Sequence, residues 1–147
     1  MHRPLFFIIC TDDENEAYNM AIEKLDSLTE SYEIDWYQGI KESKRWSELE
    51  QYESVDFDKV KTELERLVKS TEKESKKWIM QGIKEFEKNM LNDALTSFRL
   101  ATSSTSSYVF DLSDWSYDFV HTLDDLNKVI KYIENKKTMV VGFDVHY

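Results

Sequence analysis

Apolar positions along this chain change period several times, and each change marks a predicted element. Leu5-Phe6-Phe7-Ile8-Ile9-Cys10 is an unbroken apolar run rich in aromatic and β-branched residues, the kind that forms a strand buried on both faces. Pro4, the only proline, stands at its entrance, where a missing N–H does little harm. The period then turns helical. Ala17, Met20, Ala21, Leu25 and Leu28 predict an amphipathic helix to about Glu30, with Thr11 or Asp13 as N-cap and Glu14 and Glu16 as capping-box partners. From Tyr32 to Tyr37 the period is two: Tyr32, Ile34 and Trp36 alternate with Glu33, Asp35 and Tyr37, predicting a second strand that Gly39 ends. The polar stretch that follows, to about Ser54, reads equally as an irregular loop or one short helix.

Helical spacing resumes at Asp56 and persists to about Ser103. Phe57, Val60, Leu64, Leu67 and Val68 form one stripe, Trp78, Ile79, Ile83, Phe86 and Met90 another, and Ala94, Leu95, Phe98 and Ala101 a shorter third. Ser70 to Lys77 carries no apolar residue, so the helix is expected to be solvated, bent or broken there, and Asn92 or Asp93 is placed to cap a new one. Two or three helices follow from this pattern. The Ser/Thr cluster from Ser103 to Ser107 predicts a loop, and Tyr108 to Leu112 a third strand. Thr122 caps a last helix faced by Leu123, Leu126, Val129, Ile130 and Ile133, closed by Asn135 and Lys136. Thr138 to Tyr147 alternates as a final strand.

This order, β-α-β, a helical block, then β-α-β, predicts one α+β domain over 1–147 with a helical insertion at about 56–103. Two β-α-β halves suit the split βαβ (ferredoxin-like) arrangement, a four-stranded antiparallel sheet with both crossover helices on one face. The alternative is an ordinary mixed sheet with helices on both faces.

Composition narrows the function. The net charge is −10, from 29 acidic and 19 basic residues. That argues against direct nucleic-acid binding, which needs a surplus of Lys and Arg, and against an anionic membrane surface. It suits a protein partner that is basic or itself nucleic-acid-binding. One cysteine, Cys10, excludes an intramolecular disulfide and a cysteine-based zinc site. No apolar run is long enough to span a bilayer, and acidic residues follow the first run at once, unlike a signal peptide. A cytoplasmic location is expected.

Three stretches carry candidate chemistry. At period two, Asp144 and His146 project from one face of the last strand, about 7 Å apart. With the last strand antiparallel to the first, His146 approaches His2, so Asp144, His146 and His2 are candidate ligands for a divalent metal or an acid–base set. Asp12-Asp13-Glu14 sits at a strand-to-helix junction, where carboxylates hold Mg²⁺ or, more commonly, cap the helix. No glycine is present there to cradle a phosphate, and no cofactor is predicted. Cys10 reads as a core residue, and His121 has no nucleophile placed beside it by any motif. The aromatic residues, 14% of the chain, form two groups. Trp36, Tyr37, Trp46 and Tyr52 belong to one, and Trp115 and Tyr117 to the other. Trp and Tyr are favoured interface anchors, and they also fill cores.

Asp35-Trp36-Tyr37, Arg45-Trp46-Ser47 and the ending Asp144-Val145-His146-Tyr147 together resemble a loose group of small phage and mobile-element proteins. That group is marked by a Trp/Tyr-Tyr, a Gly-Gly-Arg-Trp stretch and a Val-Asp-x-His ending. Ser43 and Lys44 stand where the group has Gly-Gly. The resemblance implies mobile-element origin and a partner-binding or interference role. The expected function is therefore a non-enzymatic interaction protein with an acidic, aromatic-bearing surface, its helical block also suited to homo-oligomer formation. The alternative is a metal-dependent enzyme built on Asp144 and His146, with His2 or Asp12.

Overall fold

The structure is a computed structural model that describes residues 1–102 and 108–147; the cluster 103–107, expected as a loop, lies outside the described residues. The elements are β1 (His2–Ile9), α1 (Glu14–Glu30), β2 (Trp36–Gly39), a 3-10 segment (Lys44–Glu53), β3 (Val55–Asp56), α2 (Phe57–Glu87), α3 (Leu91–Thr102), β4 (Val109–Asp111), α4 (Leu123–Ile133) and β5 (Met139–His146).

The fold is α+β, with one five-stranded sheet ordered β2-β5-β1-β4 and β3 also paired to β5. β1 covers one side of β5 from Met139 to His146. β2 pairs with Phe143 to His146 and β3 with Met139 and Val140, so these two short strands lie end to end along the other side. The expected four-stranded antiparallel sheet needs correction, because β1 and β4 are parallel, with Phe7 opposite Phe110. β2 lies beside β5, whereas the ferredoxin-like order would set it beside β4.

Helices cover both faces, as in the alternative architecture. Leu5, Phe7 and Ile9 of β1 pack with Ala17, Ala21, Leu25 and Leu28 of α1. Phe6 and Ile8 point the other way, into Val60, Leu64 and Val68 of α2 and Leu126, Val129 and Ile133 of α4. The unbroken apolar run of β1 accounts for this: a strand apolar on both sides needs cover on both. Chain 117–120 folds back along β4 and covers that edge, through Asp111 N–H to Asp118 O (2.9 Å) and Val120 N–H to Val109 O (2.9 Å).

One strand boundary differs from expectation, and the helical block resolves one of the alternatives. β2 starts at Trp36, not Tyr32, because the chain first turns at the end of α1. Tyr32 takes a left-handed φ of 61° and is exposed, while Glu33 N–H returns to Leu28 O at 2.9 Å. Within α2 the helix continues unbroken through the polar stretch from Ser70 to Lys77, which is largely solvated, the first of the three alternatives. Thr71 is small enough to be buried there, and its hydroxyl donates to Leu67 O (3.2 Å). The block thus holds two helices, separated at Asn89, whose φ is 61°. Glu74 reaches Arg3 at the start of β1 (3.7 Å), which marks where α2 leaves the sheet. Beyond that point its partner is α3, and α3 packs on no other element to a comparable extent.

Candidate functional site

Two places among the described residues combine unusual chemistry with accessibility. The first lies at the end of the sheet where β1 begins and β5 finishes. Alternation along three neighbouring strands sends His2, Trp36, Gln38, Asp144 and His146 to one face, with His2 opposite His146 and Gln38 opposite Asp144. The 3-10 segment and the residues before it close over this face and deliver Ser43 and Trp46.

Asp144 is fully buried at the centre. Its carboxylate accepts from Ser43 Oγ (2.7 Å), Gln38 Nε2 (3.2 Å) and His2 Nδ1 (3.2 Å to each oxygen). Burial by itself pushes the Asp144 carboxyl up. The donors Trp46, Ser43, Gln38 and His2 outweigh burial and hold it below the usual carboxylate value. The Trp46 indole N–H contributes through proximity, since it makes no hydrogen bond of good geometry.

A carboxylate only accepts, so the proton of this His2 bond sits on Nδ1. Nε2 of His2 has no hydrogen-bond partner among the described residues. The second histidine is arranged differently. His146 Nδ1 donates to Asp35 (3.1 Å), and its Nε2 meets the Met1 amine (3.1 Å). The His146 ring stacks on Trp36 (5.6 Å between centroids, 8° between planes), and the His2 ring meets its edge at 4.9 Å. Beside this cluster is a shallow pocket of about 440 Å³ lined by His2, Trp36, Gln38, Ser43, Lys44 and Arg45. It offers two cations, an aromatic face and an Asp-oriented imidazole, a set that suits binding and proton transfer on a small anion.

The structure thus brings together the three residues proposed as metal ligands, His2, Asp144 and His146. Among the described residues, no group of three or more His, Cys, Asp or Glu side chains is arranged to hold a metal ion. His2 turns to Asp144 and His146 to Asp35. Asp12 lies far off, at the opposite end of β1. Asp13 caps α1, accepting from the N–H groups of Asn15 (2.8 Å) and Glu16 (3.1 Å). The three segments that carry the resemblance, around Trp36, around Arg45 and at Asp144 to His146, meet at this one end of the sheet. Sequence reasoning missed Asp35, Gln38 and Ser43 as members of the cluster; the quoted segments around Trp36 and Arg45 were the available signal.

The aromatic residues do not form a single surface. Trp36 is exposed beside His146, whereas Trp115 and Tyr117 are exposed past the end of β4, at the other end of the sheet. Tyr52 is buried against Phe6 (5.5 Å), Trp46 is half-buried, and the half-buried Tyr37 donates its hydroxyl to Asp26 (2.6 Å). A cleft of about 1070 Å³ between the start of α2 and the end of α4 mixes Lys59, Lys61 and Lys131 with Asp56, Asp58 and Glu134 and has no dominant charge.

The second place is the α2–α3 hairpin. Gly82 lets the Phe98 ring approach to where a Cβ would stand, 2.6 Å away, and Ser97 Oγ donates to Glu85 at 2.6 Å. These contacts fix which sides of the two helices face each other. At 100° per residue, Ile79, Ile83 and Phe86 lie about a quarter-turn to one side of the α2 contact stripe. Leu91 and Leu95 lie a quarter-turn from Ala94, Ser97 and Ala101, and the antiparallel course of α3 puts them on the same side. With Met90 in the connecting turn, these six side chains form one apolar face, each 41–61% exposed. No helix of the described residues is long and apolar enough to cross a membrane. No protein-family model, curated protein or solved structure matches this chain.

Proposed function

We infer that this chain is a protein-binding protein whose docking element is the α2–α3 hairpin. The observation that carries this reading is the exposed apolar face of Ile79, Ile83, Phe86, Met90, Leu91 and Leu95 on a helical pair that extends past the sheet. Each of these side chains exposes about half of the roughly 170 Å² of a large side chain, so together they present on the order of 500 Å² of apolar surface. A patch of that size equals the largest on a typical monomer, about 300–600 Å², which is often a functional surface. The acidic, aromatic-bearing surface expected from composition takes second place, because its exposed rings sit at opposite ends of the sheet. The resemblance to small phage and mobile-element proteins supports a partner-binding or interference role and adds a basic or nucleic-acid-binding protein to the partners worth testing.

The test is photo-crosslinking in cells, with a photoreactive phenylalanine analogue in place of Ile79, Ile83 or Phe86 in turn and, as control, in place of the exposed Glu134. A discrete adduct at position 86 that is absent at 134 is the expected result. Absence of any adduct at 79, 83 and 86 would refute the reading.

A second reading rests on the Asp144–His2 pair: an acid–base enzyme acting on a small anion held by Lys44 and Arg45, with His2 as the base. The metal-dependent version would use Asp144 and His146 and would have to displace the bonds His146 makes to Asp35 and Met1. Melting with saturating divalent metal separates the two versions. A stabilisation lost in His146→Ala favours metal; none at all leaves the acid–base pair.

A further inference from the structure

We propose that the apolar face of the α2–α3 hairpin is occupied by a second copy of this chain, two hairpins meeting face to face as a four-helix bundle. This rests on the reading of the hairpin as the docking element and names what docks there. Three observations favour a second copy over another partner.

The first is spacing. Ile79, Ile83 and Phe86 recur at four and three residues along α2, and Leu91 and Leu95 at four along α3. This is the a/d seam by which helices pack on helices at a shallow crossing angle, and an antiparallel pair with such a seam on one side is half of a four-helix bundle. The second is area. Homodimer interfaces are about 65% apolar, so about 500 Å² of apolar surface belongs to an interface of about 800 Å² on each partner. That is the standard size for a stable complex.

The third is charge. The whole chain carries −10, which opposes contact between two copies through most of its surface. The stretch from Glu72 to Thr102, however, holds six Lys and Arg against five Asp and Glu. The hairpin is therefore the near-neutral part of an acidic protein, and it extends away from the sheet that carries the surplus acid. Two hairpins meet without the repulsion that the acid-rich surfaces of the chain would bring, and neither a strongly basic nor a strongly acidic partner finds a complement there.

The experiment is light-scattering mass measurement with thermal melting at about 100 µM, a concentration that saturates a micromolar contact, on the wild type and on Ile83→Glu, Phe86→Glu and Leu100→Glu. Leu100 is exposed on the opposite side of α3 and serves as the control. The expected result is twice the 17.5 kDa chain mass for the wild type and Leu100→Glu, and the single-chain mass for the two face variants. A dimer that survives both face variants, or is lost in Leu100→Glu as well, overturns the proposal. A wild-type monomer also overturns it, and the melts then decide the wider reading. If Ile83→Glu and Phe86→Glu melt with the monomeric wild type, the face is free for a different protein. If they melt several degrees lower, the chain's own residues cover it and the docking reading falls too.

Discussion

Asp144→Ala tests the account of the sheet-end cluster directly. Truncation removes the acceptor from Ser43 Oγ, Gln38 Nε2 and His2 Nδ1. Ser43 is 2% exposed, so water does not replace the lost bond. His2 and Gln38 are part-buried and regain some hydration. A buried donor left without an acceptor costs about 1–3 kcal/mol. Against that, the wild-type carboxylate is itself stripped of water at several kcal/mol, a cost the variant no longer bears. One fully orphaned donor and two partly orphaned ones, less this relief, leave a net loss of about 1–3 kcal/mol. In a chain of this length that lowers the melting temperature by about 2–12 °C. Asp144→Asn keeps one acceptor oxygen and the volume, so about half that loss is expected.

The pH dependence gives a second, independent reading of the same site. The folded-state pKa of Asp144 lies below its unfolded value. The stability it contributes is therefore complete above about pH 4, the unfolded value, and is lost as pH falls from there through the folded value. The assay is urea unfolding of wild type and Asp144→Ala from pH 7 to pH 2. The gap between the two midpoints should be constant down to about pH 5 and narrow below pH 4. A gap under 1 kcal/mol at pH 7, or one that stays constant to pH 2, refutes the claim that donors around Asp144 outweigh its burial.

Three further outcomes follow from other residues. Gly142→Ala places a Cβ 3.0 Å from the Tyr52 carbonyl oxygen and 3.1 Å from the Phe6 ring. A backbone atom gives little, so a loss of about 1–3 kcal/mol in urea unfolding is expected, and an unchanged midpoint would show that the 3-10 segment shifts freely. Asp111 is buried at the end of β4 and accepts from the N–H groups of Ser113 (2.8 Å) and Ser116 (3.1 Å) as well as from both hydroxyls. Asp111→Ala should cost about 2–4 kcal/mol, and Asp111→Asn less, measured the same way. Tyr37, raised to about 12 by burial and then by its bond to Asp26, and Tyr147, raised to about 12 by burial, should be among the last phenols to ionise in an ultraviolet titration. Asp26→Ala should bring one of them down and leave the other; two unmoved phenols would contradict the Tyr37–Asp26 bond.

Some of this was legible in the sequence because one residue's neighbours along the chain already decide it. The stripe of Ala17, Ala21, Leu25 and Leu28 fixes α1, and the alternation after Met139 fixes β5. The unbroken run of β1 marks a strand buried on both faces, yet the β-α-β order of the elements put the ferredoxin-like sheet, with its helices on one face, ahead of the mixed sheet that forms. What the chain order does not contain is which edge β2 takes. Its four residues carry no pattern that names an edge, and the structure sets them against Phe143 to His146 of β5. The cluster divides the same way. Antiparallel pairing of the first and last strands puts His2 opposite His146 from register alone. The burial of Asp144 depends on Ser43 and Trp46 arriving from a segment with no periodic signal, so a surface pair in sequence becomes a closed hydrogen-bond network in the fold.

The hairpin shows the limit most clearly. Both halves of α2 carry apolar stripes of the same spacing, and nothing in the pattern separates Val60, Leu64 and Val68 from Ile79, Ile83 and Phe86. A 31-residue helix is about 46 Å long, whereas a strand of eight residues spans only about 26 Å. The sheet ends near Glu74, and roughly 20 Å of amphipathic helix is left beyond it. α3 buries one side of that length and leaves a second apolar side bare. An apolar stripe states that a helix needs cover; only the dimensions of the sheet show that, among the described residues, half of α2 keeps one apolar side bare.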